Sequence, residues 1–164
     1  MGLRMDKNEV LLELRRLVEV DLDAITAGQL ASQAGATHAE NKAEGDKDMR
    51  ATESSYLARG LAKRVTELRA AVSQLANLKN RVFNEESQIA MSALVEVEDE
   101  DEGKHYYYIA PSGGGIVVTI GDHKVAVVTP TSPLGQAMIG RLVDDEVELQ
   151  TPQGPKFLTV TELA

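Results

Sequence analysis

Glu40, Glu44, Asp46, Asp48 and Glu53 crowd into or beside a small, polar stretch, residues 33–48, whose only glycines are Gly35 and Gly45. Carboxylates are hard oxygen donors of the kind Mg²⁺ takes, and one placed beside an existing metal can also orient an attacking water. Asp46 follows Gly45 directly and is the first candidate for such chemistry. Asp48 has two readings that stand side by side. It is a second oxygen ligand, or it is the N-cap of a following helix, where an aspartate accepts from orphan backbone N–H groups and favours the macrodipole. Glu53 falls inside that helix, where it pairs with a base or faces solvent. His38, His105 and His123 are scattered without metal-ligand spacing, and the absence of cysteine excludes disulfides and thiolate metal sites.

These acids need something to hold them. On the N-terminal side Leu11, Leu14, Val18, Leu22 and Ile25 recur at steps of three and four. On the C-terminal side Leu57, Leu61, Val65, Leu68, Val72 and Leu75 do the same. Neither segment contains proline, and each stripe is narrow and aliphatic, as expected when two helices pack side by side. The spacing predicts an antiparallel coiled-coil hairpin over residues 1–82, its tip at about 35–50. The first helix either turns at Gly35 or runs on toward Gly45. An arm of ~30 residues would reach roughly 45 Å, more than a compact domain requires. Arg59, Lys63, Arg64 and Arg69 line the second helix, where a solvated face is the ordinary reading of such a series.

After Arg81 the pattern changes to that of strands. Residues 92–98 alternate, Tyr106-Tyr107-Tyr108-Ile109 is β-rich, and residues 116–120 and 125–128 form two further runs. Gly113-Gly114-Gly115 and Gly121-Asp122-His123 mark turns, and the acidic run 98–102 fits a solvated hairpin loop. Ser132 then reads as the N-cap of a short helix with Pro133 at its first position and Gly140 at its end. Glu146–Gln150 and Phe157–Val160 pair across Thr151-Pro152-Gln153-Gly154 as a hairpin. The expectation is an α+β chain whose second domain, over residues 83–164, is a small antiparallel β domain with one short helix.

The net charge of −9 is unevenly placed: residues 1–82 carry +1 and residues 83–164 carry −10. An acidic half is a poor independent partner for nucleic acid, whose binding rests on cationic side chains, and suits a basic or apolar protein surface better. With 43% apolar but only 4% aromatic residues the core must be aliphatic. No apolar run approaches membrane-spanning length and the N-terminus lacks a signal-peptide h-region, so a cytoplasmic protein away from membranes is expected.

The wording SPLG, an apolar helix and then GRLVDDEVELQTPQG resembles the C-terminal domain of the GreA/GreB transcript-cleavage factors, whose pattern is close to SPLGRALLGKKVGDEVEVETPGG. The resemblance covers residues ~90–163 and implies an FKBP-like fold for that domain. It also implies an accessory factor, not an enzyme in isolation. The hairpin would enter the secondary channel of RNA polymerase, and tip acids would help hold a catalytic Mg²⁺ so that the polymerase cleaves its own backtracked RNA. No tightly bound cofactor is implied, only Mg²⁺ shared with the polymerase. By the same resemblance Asp46 and Asp48 are the catalytic and metal-holding candidates, and the segment Ser132, Pro133, Leu134 and Gly135 is the partner-binding candidate. The basic residues of the second helix would lie toward the 3′ end of the nascent RNA. The protein is expected to be a monomer.

The family's tip pattern, close to GDLxENAEY, places a second acid three positions after the first. Here Met49 occupies that position, and KDMRATESS separates Asp46 from Tyr56. A paralogue that occupies the channel without cleaving is therefore the alternative. A prolyl isomerase or chaperone needs an aromatic-lined pocket, for which this half offers only Phe83, Phe157 and three consecutive tyrosines.

Overall fold

The computed structural model describes residues 3–39 and 47–164, with side chains for 3–31 and 50–164. Two long helices, α1 (Lys7–Ala39) and α2 (Lys47–Asn77), precede β1 (Leu94–Asp99), β2 (Lys104–Ile109), β3 (Val117–Ile120), β4 (His123–Val128), the short α3 (Pro133–Met138), β5 (Glu146–Thr151) and β6 (Gly154–Leu163). α1 continues through Gly35, as one of the two sequence readings has it. The chain packs as two compact units, one formed by Met1–Arg15 with Gln74–Ala164 and the other by Arg16–Ser73. The change from helical to strand pattern near residue 82 and this division in packing are thus different boundaries.

In the helical unit Val18, Val65, Leu68 and Ala71 are buried, and Leu22, Ile25, Leu61 and Val72 are half-buried. The seam follows the predicted stripes but fades along them, since Leu30, Tyr56 and Leu57 are exposed. Every side chain from Arg50 to Gly60 is exposed as well. A stripe that is apolar in sequence therefore buries its side chains only over the part of α2 that follows Gly60.

The other unit is built on a six-stranded sheet in the order β3-β4-β2-β1-β6-β5. Four of its pairings are antiparallel, and the β2–β4 pair is parallel, so the sheet is mixed where strand alternation alone suggested an antiparallel one. The parallel pair arises because β3 returns as a hairpin partner of β4, which leaves β4 running alongside β2. One face carries the aliphatic core: Ile89, Val95, Val97, Ile109, Met138, Val147, Leu158 and Val160, with Phe83, Tyr107 and Leu134 packed against it.

The helix ends that belong to this unit are tied down by polar side chains. Asp6 caps α1, its Oδ1 accepting from the Asn8 N–H at 2.8 Å. α2 has no basic residue in its own last turn. Arg15 supplies one from α1, donating Nε to the Leu75 carbonyl at 2.8 Å and Nη2 to Ala76 and Leu78 at 3.3 and 3.1 Å. That satisfies carbonyls a helix C-terminus leaves without partners and places a cation at its negative end. The buried Tyr108 donates its hydroxyl to Asn80 Oδ1 at 2.6 Å, and Asn80 Nδ2 reaches Asn8 Oδ1 at 3.0 Å.

Candidate functional site

The segment from Thr129 to Leu142 is folded by its own motif. Ser132 is extended (φ −71°, ψ 155°), and its hydroxyl both accepts from the Gly135 N–H at 3.0 Å and donates to the Thr129 carbonyl at 2.8 Å. Pro133 opens α3, where its missing N–H costs nothing. Gly135 is buried, and a Cβ there would stand 1.9 Å from the Thr129 carbonyl oxygen. Glycine is thus required by close approach of backbone to backbone. Met138 is fully buried beneath the helix and Leu134 is half-buried against the same core. Gly140, at φ 86°, then turns the chain so that its N–H meets the Ile89 carbonyl at 2.8 Å.

Of the four predicted partner-binding residues, Ser132 and Gly135 therefore build the helix, Leu134 anchors it, and Pro133 faces solvent. The apolar side chains left at this surface are Pro133, Ile139 (38% exposed) and Leu142 (37% exposed), with Arg141 exposed between the last two. The motif is legible in the sequence, but the division between its structural residues and those a partner can touch depends on where Thr129 lies in the fold.

The tip candidates are placed only in part. Asp46 lies outside the described residues, and so does the Asp48 side chain. The Asp48 backbone is helical within α2, which excludes the N-cap reading, since a cap residue has non-helical backbone angles. Glu53 is exposed on α2, as are Arg59, Lys63, Arg64 and Arg69. Lys63 and Arg64 lie 3.9 and 3.6 Å from Glu67, consistent with a solvated helical face. Among the described residues no group of three or more His, Cys, Asp or Glu is arranged to hold a metal.

A second polar centre, unforeseen in the sequence, sits on the sheet face opposite the core. Glu96 is buried; its Oε1 accepts from Lys104 Nζ and from Thr161 Oγ1, both at 2.9 Å. Burial opposes ionisation of Glu96, but hydrogen bonds from Lys104, Thr161 and Tyr106 prevail and hold its carboxyl below the usual range. Thr161 reaches it because the β1–β6 register shifts between Glu96 and Val97. By register Glu98, Glu146, Glu148 and Glu162 share this face. An open cleft beside them is lined by Glu98, Asp99, Glu100, Glu146, Phe157 and Thr159. Of the run at residues 98–102, expected to be a solvated loop, Glu100, Asp101 and Glu102 are exposed in the turn, whereas Glu98 and Asp99 end β1 and are half-buried. Asp99 closes the β1–β2 turn, accepting from the Asp101 and Gly103 N–H groups at 3.0 and 2.8 Å and from His105 Nε2 at 2.7 Å. No helix among the described residues is long and apolar enough to cross a membrane.

Residues 84–164 match the family profile described as transcription elongation factor, GreA/GreB, C-terminal. The transcription elongation factor GreA of Sphingopyxis alaskensis is 37% identical over 76 residues, covering 46% of this chain and 44% of that protein. GreA of Novosphingobium aromaticivorans is 36% identical over 76 residues with the same coverage of each. The chain thus spans about half the length of the curated relatives it matches, at 44% of each. A solved structure of the transcription factor Gfh1 aligns over 92% of this chain and 93% of its own at 17% identity, with a TM-score of 0.41. The profile match spans all six strands and the α3 helix, Pro133–Met138. Residues 84–164 are thus a GreA/GreB-type C-terminal domain.

Proposed function

We propose that the protein is a Gre-type transcription elongation factor that binds RNA polymerase, inserts its two-helix arm into the secondary channel and stimulates cleavage of backtracked RNA. The observation that carries this reading is the family match over residues 84–164, centred on a helix whose SPLG motif is folded in full by Ser132 and Gly135. In this reading the domain docks through Pro133, Ile139 and Leu142 and through the acidic sheet face, which suits a basic protein surface. Asp46, with Asp48, adds carboxylate oxygens to a Mg²⁺ held jointly with the polymerase, next to the RNA 3′ end. Hydrolysis remains the polymerase's own, and the factor acts as a cytoplasmic, monomeric accessory.

One observation favours a second reading. The acid expected three residues after Asp46 is replaced by Met49. On that reading the factor occupies the channel and slows transcription without cleaving. Adding the protein to stalled elongation complexes separates the two: release of short 3′ fragments supports cleavage, and slowed elongation without fragments supports the second.

A further inference from the structure

Four features that weaken an α-helix fall at one level of the two-helix arm. Gly28 lies inside α1 and Gly60 inside α2, and both are exposed. A Cβ added at either would meet no atom of the described residues within 4 Å, so packing requires neither glycine. A glycine inside a helix is nevertheless less stable than an alanine, because its backbone has more freedom to lose. Thr26 Oγ1 donates to the Leu22 carbonyl at 2.7 Å, and Thr66 Oγ1 donates to the Ala62 carbonyl at 3.0 Å. A hydroxyl bonded back to the carbonyl four residues earlier competes with the helix's own amide and favours bending.

Register brings the four together. Arg15 meets the Leu75 carbonyl at 2.8 Å, and from that contact the two antiparallel helices run on with equal rise. Gly28 is 13 residues along α1 from Arg15 and Gly60 is 15 along α2 from Leu75, which sets them within a turn of each other. Thr26 and Thr66 fall at the same level, 11 and 9 residues from the same contact. The seam weakens there too: Val18, Val65 and Leu68 are buried, whereas Leu30 and Leu57 are 62% and 69% exposed. We infer that this level is a bending joint. It divides a packed proximal coiled coil from a distal segment that changes direction as α1 and α2 bend together, without disturbing the buried seam. The joint is a property of the free protein and holds for either reading of its action on the polymerase.

The chain has no cysteine, so pairs of spin labels can be introduced into the full-length protein. One pair, Glu53→Cys with Glu67→Cys, straddles Gly60; the other, Lys63→Cys with Ala76→Cys, lies on the proximal side, and all four positions are exposed. Double electron–electron resonance should give a distance distribution about twice as wide across Gly60 as in the proximal pair. Gly28→Ala with Gly60→Ala should remove most of that excess and leave the proximal pair unchanged, with the helix content seen by circular dichroism unaltered. Equal widths for the two pairs would overturn the inference, as would an excess that survives both alanines. So would an excess that disappears only together with a gain in helix content, since that would be fraying of the distal helices and not a bend.

Discussion

Gly135 and Thr129 approach so closely that a side chain of any size at residue 135 would collide with the Thr129 carbonyl, 1.9 Å from where a Cβ would sit. The contact lets the Ser132 hydroxyl bridge Thr129 and Gly135, which starts α3 over the buried Met138. Gly135→Ala should therefore destabilise the sheet unit by about 2–4 kcal/mol, since neither backbone can yield without opening the cap. Chemical denaturation checks this. Ser132→Ala, which removes only the capping hydroxyl, should cost about 1 kcal/mol by the same measurement.

Arg15 closes the C-terminus of α2 through three carbonyls. Arg15→Met keeps much of the apolar stem and should cost about 1–3 kcal/mol, seen as a lower thermal midpoint. Arg15→Lys should recover only part of that, because a single ammonium cannot span the carbonyls a planar guanidinium reaches.

Glu96 should make the domain sensitive to acid. Its folded-state carboxyl titrates below the ordinary value of 4.5, so its contribution is complete above that value and is lost as pH falls through the lower folded one. Glu96→Gln should cost about 1–2 kcal/mol at neutral pH and flatten the stability profile below pH ~4.5. Urea midpoints from neutral to acid pH give the comparison.

On the proposed function, docking should depend on the exposed residues of the α3 surface. Replacing Ile139 and Leu142 by serine should weaken polymerase binding by about tenfold with the thermal midpoint little changed, because both are partly exposed. Loss of binding together with loss of folding would place them in the core instead.

Much of this was legible in the sequence, for reasons tied to particular residues. Ser132, Pro133 and Gly140 announce α3 because capping chemistry is local. Glu146–Gln150 announces β5 because its alternation and the Pro152-Gln153 turn are adjacent. What the sequence hid is non-local. The parallel β2–β4 pairing depends on where β4 comes to rest, and the burial of Glu96 depends on the register shift that brings Thr161 beside it. Leu57 shows the opposite failure: it continues the α2 stripe in sequence yet is 69% exposed. The tip was legible as an acidic turn opened by Gly45-Asp46, and Asp46 and the Asp48 side chain lie outside the described residues.

The proposed chemistry of the tip is decided most directly on backtracked elongation complexes supplied with Mg²⁺. The wild-type protein should release short 3′ RNA fragments, and Asp46→Ala with Asp48→Ala should lower the rate by about 100-fold while leaving polymerase binding intact. Unchanged cleavage in the double variant, or no cleavage above the polymerase's own rate with the wild type, would contradict the proposed role of the tip.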